Sequence, residues 1–136
     1  MNKRTLPILL AALALVASSL ACAFGQVSLS NVRTARDENG DQPISVFAPA
    51  DAIYAVADLS NAPVGTVVSS KWYYVSVEGF DPNTLIDEAD ITVDQDNFNG
   101  TVHFYFPAGS NWPVGTYSVE LYLNGALIQT ANFSIQ

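Results

Sequence analysis

Asn111-Trp112-Pro113-Val114-Gly115-Thr116-Tyr117-Ser118-Val119-Glu120-Leu121-Tyr122-Leu123-Asn124-Gly125 decides the fold class. Pro113 and Gly115 punctuate a turn. Tyr117, Val119, Leu121 and Leu123 then alternate with Ser118, Glu120, Tyr122 and Asn124, the period of two that turns one face of a strand into a core. Asn124-Gly125 closes the stretch with the strongest short hairpin signal available, because a type I′ turn needs two residues that tolerate φ > 0. A turn, a half-buried strand and a tight hairpin predict an antiparallel partner on either side.

Working outward, the pattern from Gln26 on is β throughout, and no long segment carries apolar residues at helical spacing. Val27 to Val32, running on towards Ala35, reads as a first strand. Ile44 to Phe47 is a short extended piece, and Ile53 to Leu59 a strand of small and branched residues. Thr66 to Val77 is a long strand holding Trp72, Tyr73 and Tyr74. Thr84 to Ala89 fits either a helical turn or an edge strand, with a short strand over 90–93. Thr101 to Phe106 points Val102, Phe104 and Phe106 inward, and Ala126 to Ile135 closes the chain. About seven short strands with turn signals between them predict an all-β antiparallel sandwich. Pro63-Val64-Gly65-Thr66 and Pro113-Val114-Gly115-Thr116 are identical and read as one turn used twice.

The N-terminus reads differently. Lys3 and Arg4, the apolar run Leu6 to Ala17 and the small residues up to Ala23 have the layout of a secretory signal helix. The run falls short of the roughly 20 residues a membrane span needs. Residues 1–21 are therefore expected to be a signal peptide and 22–136 one domain. Around Cys22, the only cysteine, the segment resembles a bacterial lipoprotein signal: Ala21 is the small residue before the cysteine, though Ser19 stands where that pattern usually has Leu, Val or Ile. This resemblance implies lipidation at Cys22 and a membrane-anchored protein of the cell envelope. Ordinary cleavage after Ala23, since Ala21-Cys22-Ala23 is itself an A-x-A site, implies a secreted one.

A chain cut before Cys22 keeps three basic residues, Arg33, Arg36 and Lys71, against thirteen acidic ones, a formal charge of −10. Such a surface argues against nucleic acid and anionic headgroups as partners. With no later cysteine the domain holds no internal disulfide, so packing alone must stabilise it.

The 26–136 region resembles an immunoglobulin-type sandwich: Trp72 stands in the third long strand where that family keeps a buried Trp, and Tyr117 lies two residues before Val119, the tyrosine-corner spacing. The family's two cysteines are replaced by an apolar pair such as Ala57 and Val119. Phe47-x-Pro49-x-Asp51-x-Ile53-Tyr54, Lys71-Trp72-Tyr73, Trp112-Pro113-x-Gly115-x-Tyr117 and Phe133-Ser134-Ile135 further resemble a bacterial envelope domain of no assigned activity. That likeness implies fold and location and transfers no catalytic residue.

Candidate sites follow from register. If Trp72 and Val119 point inward, Lys71, Tyr73, Glu120 and Tyr122 share one outer face, with Val75 and Val77 in the same register. Tyrosines of this kind suit recognition, offering large area at low entropic cost. The loop Asp94-Gln95-Asp96-Asn97-Phe98-Asn99-Gly100 clusters oxygens, so Asp94, Asp96, Asn97 and Asn99 are candidate calcium ligands. The EF-hand template fails at Phe98 and Gly100, and the competing reading is a hairpin turned by Asn99-Gly100. His103, the only histidine, is expected outward beside Tyr105. It has no cysteine or second histidine for a zinc site and no G-x-S-x-G elbow nearby. Trp112 reads equally as a lid on the core or a ligand contact. The expectation is a non-catalytic module without cofactor, engaging an envelope protein or cell surface. The alternative is a calcium- or carbohydrate-binding accessory domain using the 94–100 loop or the Tyr73/Tyr122 face.

Overall fold

A computed structural model describes residues 25–136. The expected signal peptide, residues 1–21, and Cys22 lie outside the described residues. The elements are β1 (Ser28–Ala35), β2 (Val46–Phe47), β3 (Ile53–Ala62), β4 (Val67–Val77), β5 (Thr84–Thr92), β6 (Phe98–Phe106), β7 (Gly115–Leu123) and β8 (Ala126–Ile135). They form two sheets, β1-β3-β6 and β2-β8-β7-β4-β5. The described domain is thus all-β, with eight strands rather than about seven. One ladder departs from the antiparallel expectation, because Val46 and Phe47 pair parallel to Ser134 and Ile135. The constant-type immunoglobulin layout divides its strands four to three. Here β5 joins β4 instead of the smaller sheet, and the division becomes three to five.

The opening stretch behaves as its pattern predicts. Tyr117, Val119 and Leu121 are fully buried, and β7 pairs with β4 on one side and β8 on the other. Asn124 and Gly125 both take positive φ, 49° and 84°. The Asn124 side-chain oxygen accepts the Val67 N–H at 2.9 Å, and its own N–H donates to the Val67 carbonyl at 2.8 Å, tying the hairpin to the start of β4. Asparagine has this role generally: every non-glycine described residue with positive φ is an Asn (31, 61, 83, 97, 111 and 124). Its short amide makes the left-handed region tolerable, so turns and bulges fall at these positions.

The core is aromatic at its centre. Trp72 meets Phe106 edge-on at 5.0 Å and Phe133 at 5.9 Å, and Tyr117 stacks on Phe133 at 5.4 Å. Trp112 is buried and packs edge-on against Phe106 and Tyr117, so it is a lid on the core's end. The Tyr117 hydroxyl donates to the Pro113 carbonyl at 2.6 Å, the bond a tyrosine corner requires. Ala57 and Val119, at the positions of the absent disulfide, are both fully buried.

Of the two readings for 84–89 the edge strand is the one seen, and it runs on through Thr92 without a break at 90. Three local expectations are corrected. Asn99 and Gly100 lie inside β6; the left-handed residue is Asn97, and the segment crosses between sheets instead of closing a hairpin. Val77 is buried, not outward, because a bulge between Tyr74 and Ser76 shifts the period-two register. The two Pro-Val-Gly-Thr copies form different structures. In the first, Thr66 N–H and hydroxyl both bond to the Pro63 carbonyl and Gly65 makes a turn; in the second, the Pro113 carbonyl takes the Tyr117 hydroxyl and Gly115 already begins β7.

Candidate functional site

The outward tyrosine face forms from cross-strand register. Lys71 of β4 stands opposite Glu120 of β7, Ser69 opposite Tyr122 and Tyr73 opposite Ser118. Residues two apart on one strand and diagonal on the next fall within side-chain reach. The four side chains accordingly come together. The Tyr122 hydroxyl donates to Glu120 Oε1 at 3.0 Å, and Lys71 Nζ sits 5.0 Å from the centroid of the Tyr122 ring. All four are partly exposed.

Electrostatics couple the group. Burial, and then the neighbouring Glu120 carboxylate, push the Tyr73 phenol up to about 12. The same two causes raise Tyr122. Tyr117, in the core, is pushed up to about 12 by burial and by Tyr74. In each case the folded state favours the neutral phenol, so the associated stability is complete below the ordinary value of 10; for Tyr73 and Tyr117 it is lost as pH rises through about 12. Glu120→Gln removes the charge facing Tyr73 and Tyr122. Their alkaline titration, followed by tyrosinate absorbance, is expected to move down towards 10 while that of Tyr117 stays in place. An unchanged profile would show that Glu120 does not set the electrostatics of the face.

Beside the cluster runs an open groove of about 470 Å³, lined by Tyr73, Glu120, Asn83, Ser118, Thr130 and Asn132 among others. Val75 adds an apolar wall, and Glu120 is the one charged group of the lining. It offers amide and hydroxyl groups able to pair with a polar ligand, and a tyrosine ring to lie against it.

The 94–100 loop is arranged otherwise. The Asn99 side-chain oxygen accepts the Asn61 N–H at 3.0 Å, and its amide donates to the Asn97 carbonyl at 3.1 Å. Asn99 therefore braces the bulged end of β3, and Asp94 and Asp96 are exposed. Among the described residues no three His, Cys, Asp or Glu side chains come together. The geometry gives the calcium expectation no support.

Sequence reasoning missed a second aromatic group, on the outer face of the smaller sheet. Tyr54 stacks on Tyr105 at 5.3 Å, and His103 lies 5.8 Å from Tyr54 and 6.0 Å from Tyr105. His103 and Tyr105 were readable as outward, but Tyr54 joins them only through the β3–β6 register, in which it pairs directly with Tyr105.

No family model matches the chain, and no curated protein matches it. Solved structures do. An immunoglobulin-like protein from Pseudomonas aeruginosa is 11% identical with a TM-score of 0.50, the match covering 84% of this chain and 99% of that one. A Listeria innocua beta-glucosidase in complex with isofagomine is 10% identical with a TM-score of 0.52, covering 81% of this chain and 16% of that one. The chain spans 31% of a Pseudomonas fluorescens alkylpurine DNA glycosylase that it also matches. At these identities the likeness shows an immunoglobulin-like fold and nothing further.

Proposed function

We propose that the chain is a non-catalytic, exported recognition module, which binds an envelope protein through the outer face of its larger sheet. The observation that carries this reading is the convergence of Lys71, Tyr73, Glu120 and Tyr122, partly exposed and held to one another across β4 and β7. Side chains already ordered by their neighbours lose little entropy on contact, and tyrosine is enriched in such patches. His103 packs beside the stacked Tyr54–Tyr105 pair, which fits a structural place better than a catalytic one. A photo-crosslinking residue placed at Tyr73 is expected to capture a discrete partner on intact cells, while the same residue at exposed Asp41 captures none. Equal capture at both positions, or none at either, contradicts the reading.

A glycan is the second reading, favoured by the amide and hydroxyl lining of the adjacent groove, Asn83, Ser118, Thr130 and Asn132. Binding on a glycan panel that disappears with Tyr73→Ala would select it over a protein partner.

We further propose that Cys22 is lipidated and holds the domain at the membrane. Two or more acyl chains anchor firmly, at about 0.8 kcal/mol per buried CH₂, whereas one chain binds only marginally. Cys22→Ser is expected to move the protein from the detergent to the aqueous phase on partitioning. Retention in detergent would show that something other than lipid on Cys22 anchors it.

A further inference from the structure

The outer face of the larger sheet extends beyond the cluster at its centre. Leu85 of β5 stands opposite Tyr73, and Leu127 of β8 stands opposite Tyr122, so both leucines share the outward register of the tyrosines. They are 45% and 51% exposed. A single exposed leucine is ordinary, but these two continue the tyrosines in line. Leu85, Tyr73, Tyr122 and Leu127 mark one diagonal across β5, β4, β7 and β8. Three inter-strand steps and four residues of rise make it about 20 Å long. That length suits the surface of a protein better than a small ligand.

Carboxylates stand along this diagonal. Glu88 lies opposite Lys71, and Lys71 opposite Glu120, so one row across β5, β4 and β7 reads Glu-Lys-Glu. Asp90, opposite Ser69, follows Glu88 on the same face of β5. Lys71 leans over the Tyr122 ring instead of closing on either glutamate. Among the described residues the one ion pair is Arg33–Asp58, at 3.3 Å, between strands of the smaller sheet. Glu120 accepts the Tyr122 hydroxyl, whereas Glu88 and Asp90 are exposed and form no ion pair. Three carboxylates thus face outward around a single ammonium.

We propose that the partner of this face is a protein with a basic contact surface. Its apolar side chains meet the Leu85–Tyr73 and Tyr122–Leu127 ends of the diagonal, and its lysines or arginines meet Glu88 and Asp90. The inference rests on the reading that this face binds an envelope protein, and adds the chemistry of that partner. Complementary charge steers encounter and selects the partner, and the −8 formal charge of the chain acts in the same direction. Arginine fits such a face especially well, because its planar fork pairs with a carboxylate and its plane lies on a tyrosine ring. A second copy of the chain is disfavoured. Two such faces would oppose three carboxylates to three, with each lysine already held over its own tyrosine.

The test uses the full chain in washed cell envelopes, with a photo-crosslinking residue at Thr130, opposite Glu120. Glu88→Lys with Asp90→Lys, both at exposed positions, is expected to lower capture about tenfold. Glu88→Gln with Asp90→Asn, which sets no like charge beside Lys71, lowers it about threefold. Glu38→Lys with Asp41→Lys makes the same charge change on the 36–42 loop and leaves capture as in the parent. Salt at about 1 M, where the screening length is roughly 3 Å, weakens capture by the parent. The captured segment of the partner, once sequenced, is net basic. Capture that resists both salt and charge reversal overturns the inference and leaves the face as the contact surface. So does equal loss with the loop variant, a net acidic captured segment, or capture of a second copy of this chain. Absence of capture by the parent, or capture that survives Tyr73→Ser with Tyr122→Ser, overturns the underlying reading and this inference with it.

Discussion

Trp72→Ala is expected to cost about 3–5 kcal/mol, the usual range for emptying a buried aromatic site. The residue is 2% exposed and touches Phe106, Trp112 and Phe133, so it joins side chains from three elements and a loop. β4 lies inside the larger sheet between β7 and β5, and neither neighbour can close over the gap without breaking its ladder with β4. A second loss adds to the cavity. The indole N–H donates to the Ser70 hydroxyl at 3.1 Å, and Ser70 is fully buried, so the variant strands a polar group in the core. Domains of this size are stable by about 5–15 kcal/mol in total. A fall in melting temperature of roughly 10–25 °C follows for a chain of about a hundred residues, read by circular dichroism. Trp72→Phe keeps most ring contacts and is expected to cost less than half as much.

Gly115→Ala is expected to cost about 2–4 kcal/mol, far more than one added methyl group suggests. Gly115 has φ of 152°, and a Cβ there would meet the Ser76 carbonyl oxygen at 2.6 Å and Val77 Cγ2 at 2.8 Å. The obstacle is backbone on an adjacent strand, not a flexible side-chain tip. Relief must therefore come from opening the β4–β7 ladder, where Val77 pairs with Gly115. Left-handed backbone strain and overpacking each cost about 1–3 kcal/mol. Gly65 supplies the control inside the same four-residue phrase: it has nothing within 4 Å of its Cβ position. Gly65→Ala meets the φ penalty alone and should lower the melting temperature by less than half as much as Gly115→Ala. Equal shifts for the two variants would show that the close approach at Ser76 carries no weight.

What could be read from the residues, and what could not, divides along physical lines. β4 and β7 were legible because both lie inside a covered sheet, where burial enforces strict alternation. That alternation also placed Lys71, Tyr73, Glu120 and Tyr122 on one face. Tyr117 was legible because a corner tyrosine depends on local spacing, four residues from Pro113. β5 was ambiguous because its inward face has no opposing strand, so its sequence carries charge where a covered strand would carry core. Val77 was misplaced because a bulge at Tyr74–Ser76 inverts the register, and nothing in the residue types announces it. Asn99-Gly100 has the form of a turn, but Asn97, two residues earlier, takes the left-handed position and Asn99 braces Asn61. The Tyr54–His103–Tyr105 group needed the β3–β6 pairing, which residue alternation within one strand cannot supply.

The separation of core from contact surface is the central claim, and one variant tests it. Tyr73→Ser with Tyr122→Ser removes both rings from the outer face and leaves every core contact of Trp72 and Tyr117 in place. With a photo-crosslinking residue at neighbouring Thr130, the double variant is expected to melt within a few degrees of the parent while capture of the partner on intact cells is lost. A collapse in melting temperature comparable to that of Trp72→Ala, or undiminished capture, would contradict the account.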